Sequence, residues 1–321
     1  MESIGSILAF EVLPRVLTIT ALIGVGVALA NVAVEYGLVE IVARVGRYLT
    51  EPANLPDEVG TAVLTNAVSV TAGYGMLAEF RESGLLDDRA TLIAVVLNTF
   101  FGFVQHIFTF YGPVVIPILG LHAGFLYVGS RAGISLAISV VGLLAGALLL
   151  RGYRYDSTAL EPDVPDDETE ERTARDKLGR AGRKTLTRLR SIVPRLAAVY
   201  AVVIVGLEYH DLEALTAGVE PIASMLGLPG AAIGVIVVAT VDPTSGVILL
   251  GPLIGEEFTP TEAVVTLLLG SLFSLTVTVA KRSIPFQFGI WGAEFGAKVV
   301  AVNTGLRALM TIAAIAVVLA L

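Results

Sequence analysis

The 321-residue chain has no cysteine, one tryptophan, three histidines and, among 21 basic residues, only four lysines. Without cysteine there is no disulfide, no thiol nucleophile and no thiolate metal site. His106 and His122 lie in aromatic-rich stretches, and neither has a second ligand-type side chain three or four residues away. No metal and no cofactor are expected. G-x-S-x-G, H-E-x-x-H and P-loop patterns are also missing, so the expectation is a binding or transport protein, not an enzyme. Acidic residues outnumber basic ones, 29 to 21, for a net charge of −8. A nucleic-acid partner would need clustered surface Lys and Arg, so none is expected. No basic-then-short-apolar leader opens the chain, because Glu2 and Glu11 flank a weak run, and the first span is expected to be retained.

What the chain does have is apolar residues. They make up 55% of it, and the mean hydropathy is +0.81. Runs such as "VLTITALIGVGVALANVAV", "TLIAVVLNTFFGFVQHIFTF" and "ISLAISVVGLLAGALLL" are close to the roughly 20 residues that cross a bilayer core of about 30 Å. The expected class is an all-α, multi-pass integral protein of the cell membrane, with the lipid bilayer as its first partner. Abundant Ala, Val, Gly and acidic residues, with Arg far above Lys, fit a salt-adapted organism with a GC-rich genome.

One stretch, residues 151–195, reads as soluble. It begins rich in Pro and Asp, carries an acidic block at 163–171, and turns basic from Arg172 to Arg195. Such a composition suits a solvated linker that leads into the next span. Basic residues near span ends mark the cytoplasmic side. The expected organisation is a first membrane repeat at 1–150, a charged cytoplasmic linker at 151–192 and a second membrane repeat at 193–321.

The flanking halves share a frame. "VEYGLVEIVARVGRYLTEPANLP" from Val34 and "LEYHDLEALTAGVEPIASMLGLP" from Leu207 align without a gap, 173 residues apart. "PVVIPILGLHAGFLYVGSRAG" from Pro113 and "PFQFGIWGAEFGAKVVAVNTG" from Pro285 align 172 apart, with Pro113/Pro285, Gly120/Gly292, Gly124/Gly296 and Gly133/Gly305 in register. Between these blocks each half holds a polar knot inside an apolar stretch: "SVTAGYG" at Ser69–Gly75 and "TVDPTSG" at Thr240–Gly246. Pro243 inside one straight helix would cost about 3 kcal/mol. Two half-helices meeting at a polar tip avoid that cost, and irregular backbone at membrane depth needs protein or a wet cavity around it. Each knot therefore predicts a re-entrant or broken helical hairpin. Short, Gly/Pro-interrupted segments at matching places in two halves point to a transporter's binding site.

The basic residues fall at opposite ends of the two halves. Arg44, Arg47, Arg81 and Arg89 flank the first hairpin, whereas no Lys or Arg occurs between Leu196 and Ala280, and Lys281 and Arg282 follow the next span. Under the positive-inside rule this is the pattern of an inverted repeat. The expected crossings are 14–36 and 89–110 in the first half and 193–210 and 261–280 in the second. Residues 113–150 and 285–321 each contain one further net crossing, with a broken helix or half-helix inside it.

This layout, occurring twice, resembles the nucleoside-recognition or Gate domain family. That family includes archaeal membrane proteins of no assigned role, the spore maturation proteins A and B, the membrane part of the ferrous-iron transporter and the core of concentrative nucleoside transporters. "TNAVSVTAGYG" resembles the small-polar hairpin tip, and "GPVVIPILGLHAG" and "PFQFGIWGAEFG" resemble the helices after it. The Gln-Thr-Glu signature that the nucleoside transporters carry at the first tip is absent. The resemblance implies a nucleoside-like polar solute held by the tips and the following broken helices. By position it implicates Thr71, Tyr74, Asp242, Thr244 and Ser245 at the tips, and Asn98, His122, Gln287, Glu294 and Asn303 on the helices.

Each of these side chains also has a plainer reading. Asp242 before Pro243 is a good helix N-cap, and Glu294 can pair with Lys298 one turn on. Asn98 can join helices. Arg307 is costly to bury unless it faces a cavity or a partner, and Arg131 fits a loop or an interface. The expected function is a secondary-transporter-like protein binding a small polar solute near the midplane, with a coupling cation or proton, or a hydroxyl of the solute, at Asp242. The alternative is a non-transporting assembly or signalling partner like the spore maturation proteins. A homo-oligomer is compatible with either.

Overall fold

The computed structural model describes residues 4–14, 50–153 except Ser69, 219–279 and 283–321, with isolated positions between. The spans expected at 14–36 and 193–210, and nearly all of the 151–192 linker, fall outside the described residues. So do Arg44, Arg47, Lys281 and Arg282.

The described chain is almost entirely helical. Helices α1 (Asp57–Val68) and α2 (Val70–Glu82) precede α3 (Asp88–Leu97), α4 (Thr99–His106), a π-helical stretch over Ile107–Val115 and the long α5 (Ile116–Leu149). Beyond the linker come α6 (Glu220–Met225), α7 (Ala231–Val241), α8 (Pro243–Leu250), α9 (Pro260–Thr278), α10 (Ile284–Trp291) and α11 (Ala293–Leu319). Local chemistry fixes the starts. Asp87 caps α3 by accepting from the Ala90 amide at 2.7 Å. Thr259 and Glu262 form a reciprocal capping box at the start of α9, with Pro260 in the first turn, where its missing N–H has no cost.

Among the described residues, three helical stretches, Asp88–Leu149, Pro260–Thr278 and Ala293–Leu319, are long and apolar enough to cross a bilayer. Only 17% of the most apolar part of the last one is buried within the protein. Leu309, Ile312 and Val317 on α11, and Leu121, Phe125, Leu144 and Leu148 on α5, point outward. A surface of that kind would drive association in water and suits hydrocarbon.

Local geometry recurs at the spacing of the sequence repeat. Asn54 and Gly227, 173 apart, both take positive φ, at 51° and 69°. The turns around them repeat as well, with Leu55 N–H donating to the Thr50 carbonyl and Leu228 N–H to the Ala223 carbonyl. Gly73 packs against Asn66 as Gly246 packs against Ala239. Gly120 and Gly292 break their helices with φ 76° and ψ near 170°, a region essentially confined to glycine. Gly124 then returns onto Ile116, and Gly296 onto Phe288 and the Gln287 carbonyl.

Two apolar cores hold the halves together by exchange. The first gathers α7, α8 and α9 with Val114, Val115, Ile118, Leu119 and Tyr127 of the first half. The second gathers α1 through α4 with Trp291, Phe295 and Val299 of the second half. Each half thus lends its last segment to the other's core. Gly251 shows how closely, because a Cβ there would meet the Ile118 side chain at 2.6 Å. At one edge, Arg81 bonds Asp88 at 2.7 Å and stacks over Phe295 at 4.3 Å, tying α2 and α3 to α11.

Candidate functional site: a polar cavity between the halves

A cavity of about 910 Å³ lies where these elements converge. Its walls come from both halves: Asn66, Tyr74 and Asn98 from α1 to α4, Tyr127, Arg131 and Ser135 from α5, Asp242 and Thr244 from α7 and α8, Ser271, Ser274 and Thr278 from α9, and Arg307 and Thr311 from α11. The volume lies in the range of small organic ligand sites, about 300–1,000 Å³.

Asp242 sits between α7 and α8 with extended backbone, φ −147° and ψ 110°. Its Oδ2 accepts from the Ser245 amide at 2.8 Å and the Ser245 hydroxyl at 2.7 Å. It is therefore a true N-cap, and it stands on the cavity wall at the same time. Asp-Pro gives this result locally, because the residue before proline is held out of helical conformation while proline begins the next helix.

The opposite half has an amide cluster. Asn66 and Asn98 are both 1% exposed. The Asn66 carbonyl oxygen faces the Gly102 N–H and the Asn98 amide, each at 3.1 Å, and its NH₂ donates to the Val70 carbonyl at 3.0 Å. At the step from α3 to α4, Ser139 donates to the Leu97 carbonyl at 2.6 Å and accepts from the Phe100 amide at 2.9 Å. The equivalent second-half positions are Ala239 and Gly270, which touch with no polar group between them.

Two arginines complete the wall. Arg131 Nε donates to the Tyr111 hydroxyl and Nη1 to the Ser271 hydroxyl, both at 3.2 Å. Tyr111 is itself set in an aromatic group, with Phe103 at 5.0 Å and Phe110 at 5.2 Å between ring centroids. Arg307 has no hydrogen bond and no ion pair among the described residues, and its exposed side chain lines the cavity. Neither guanidinium meets a carboxylate among the described residues.

Of the residues singled out from sequence, Tyr74, Asn98, Asp242 and Thr244 share this cavity, and Ser245 stands behind Asp242. The side chain of Thr71 lies outside the described residues. The structure does not bring the other four to the wall. His122 is exposed on α5, two residues past the Gly120 break. Glu294 is 91% exposed and pairs with Lys298 at 3.3 Å, as its helical spacing allows. Gln287 is buried and accepts from the Trp291 indole N–H at 2.6 Å, beside Tyr74, which packs on Phe286 and Trp291. Asn303 stands one turn before Arg307 with a buried, unpartnered Oδ1.

Arg131 and Arg307 were weighed from sequence but not placed among the site residues, although a signal for doing so exists. Arg131, Ser135 and Ser139 stand at i, i+4, i+8 on α5, and Asn303, Arg307 and Thr311 occupy the equivalent positions, 172 residues on, on α11. A polar stripe along each of two apolar helices marks a face turned away from lipid, and Arg131, Ser135, Arg307 and Thr311 of the two stripes line the cavity.

No known family model matches the chain, and no solved structure matches it. Three curated proteins of Methanocaldococcus jannaschii are similar to it. The uncharacterized protein MJ0871 is 25% identical over 77% of this chain and 75% of its own length. The uncharacterized protein MJ0880 is 22% identical over 97% of this chain and 99% of its own. The uncharacterized protein MJ1556 is 21% identical over 89% of each. The match to MJ0880 takes in both halves and the linker together.

Proposed function

We propose that the protein is a secondary-transporter-like membrane protein that binds a small polar solute in the cavity between two inverted repeats. The observation that carries this reading is convergence: Tyr74 from the first knot and Asp242 and Thr244 from the second reach one cavity. A purely structural or assembly role does not require the polar tips to meet around open space. The helix pairs at the knots support re-entrance. Helices α7 and α8, of 11 and 8 residues, rise about 16 and 12 Å, well short of a bilayer core of about 30 Å. They fold back on each other, since Gly246 touches Ala239. Recurrence of positive φ and of glycine contacts at a constant spacing supports the duplication, and charge asymmetry supports its inversion. By resemblance to the nucleoside-recognition family, the solute carries a polar ring or sugar-like body.

The test uses the absence of cysteine. A single Thr244→Cys variant is treated with an impermeant maleimide in right-side-out and inverted membrane vesicles. Reaction from the aqueous phase is expected, with the rate depending on the side. No reaction from either side would mean that the tips are packed shut, and would remove the transport reading.

A further inference from the structure

Two guanidiniums and one carboxylate, Asp242, line the cavity, so positive charge exceeds negative there. Each half contributes one guanidinium, Arg131 from α5 and Arg307 from α11, and both line the same cavity. Arg131 is already aimed by Tyr111 and Ser271, whereas Arg307 presents unsatisfied donors to the cavity. The tip of α8 is not available to an anion, because the Asp242 carboxylate occupies it through Ser245.

We infer that the ligand is an organic oxyanion, a carboxylate or phosphate on a polar body, clamped between Arg131 and Arg307. This rests on the solute-cavity reading above and narrows it. Two guanidiniums held at membrane depth, with one carboxylate, Asp242, on the same wall and no carboxylate paired to either among the described residues, are costly. An oxyanion accepting from both relieves that cost, and planar Arg donors match its geometry. A bare inorganic ion would fill little of about 910 Å³. The remaining space is bounded by Tyr74, Tyr127, Ser274 and Thr278, which suit a body with hydroxyls and an apolar face. The oxyanion can be that of a soluble metabolite or of a lipid headgroup.

The test is thermal unfolding of the purified full-length protein in neutral detergent. Inorganic phosphate and succinate serve as oxyanion probes, uridine as the neutral probe, and sodium chloride as the match for ionic strength. Both oxyanions are expected to raise the midpoint saturably, by about 3 °C, where chloride does not. Arg307→Gln breaks no hydrogen bond among the described residues. It should leave the ligand-free midpoint unchanged or higher, because one of two like charges is gone, while raising the half-saturating oxyanion concentration about tenfold or more. Arg307→Lys should retain only part of the response, because the charge stays and the planar donor pair is lost, and Lys298→Gln, a charge change outside the cavity, should retain all of it. Short-chain phosphatidylglycerol competes with phosphate if the native source is a lipid, and has no effect if it is a soluble anion. Equal stabilisation of wild type and Arg307→Gln, or no stabilisation by either oxyanion, overturns the assignment. Stabilisation by uridine in that event leaves the solute cavity standing. An inert uridine together with an unreactive Thr244→Cys removes the cavity reading as well.

Discussion

Ser245 gives both its backbone N–H and its hydroxyl to the same oxygen of Asp242, at 2.8 and 2.7 Å. Asp242 thus closes α8 and faces the cavity with one side chain, and the two roles separate under mutation. Asn caps a helix nearly as well as Asp, whereas Ala costs about 1 kcal/mol. Asp242→Asn is expected to unfold at the wild-type midpoint, and Asp242→Ala several degrees lower. If Asp242 also holds a coupling cation or proton, the midpoint of the wild type will depend on sodium or pH in a way that Asp242→Asn abolishes. Identical profiles for wild type and Asp242→Asn would leave Asp242 as a cap alone.

Gly292 and Gly120 have open space where a Cβ would stand, so replacing them tests backbone conformation without a clash. Gly292→Ala is expected to cost about 1–3 kcal/mol, because φ 76° with ψ 167° is closed to residues with a side chain. Gly129, in the regular part of α5 and also with open space, is the control. Gly129→Ala should be neutral or stabilising by up to about 1 kcal/mol. Equal effects at the two sites would argue that the break at Gly292 is not required.

Asn66 and Asn98 can be compared directly with Ala239 and Gly270, which do the same packing without polar groups. Removing one amide leaves the other partly unsatisfied, and removing both relieves that. A double-mutant cycle of Asn66→Ala and Asn98→Ala is expected to give a coupling of about 0.6–1 kcal/mol. Additive effects, read by thermal or denaturant unfolding, would mean that the two amides act independently.

Orientation of the halves is read from chemical labelling. Gly46→Cys, Ser157→Cys and Gly218→Cys lie outside the described residues and rest on the charge pattern alone. With an impermeant maleimide on intact cells, Gly218→Cys is expected to label while the other two stay silent until lysis. Labelling of Gly46→Cys and Gly218→Cys from the same side would establish parallel repeats and remove the inversion.

Part of the candidate site was legible because its chemistry is local. Asp-Pro-Thr-Ser announces a cap and a helix start within four residues, and the position of Asp242 follows from that alone. Asn98, a lone amide in "VVLNTFF", stands out against its apolar neighbours. His122 and Glu294 were carried over by position from a resemblance, and position along a helix does not say which face a residue takes. Glu294 has Lys298 one turn away and solvent around it, so its charge has no need of the cavity. Gln287 matched in position too, but an indole N–H four residues on had first claim to its oxygen.

By itself the sequence determined the apolar class, the helical content, the places where helices break and the spacing at which the two halves correspond, because each depends on residues near in sequence or on simple register. Only the tertiary structure decided which polar groups meet. The exchange of α5 and α10–α11 between the two cores turns one face of each inward. Arg131 and Arg307, 176 residues apart along the chain, reach a common cavity only after that packing exists.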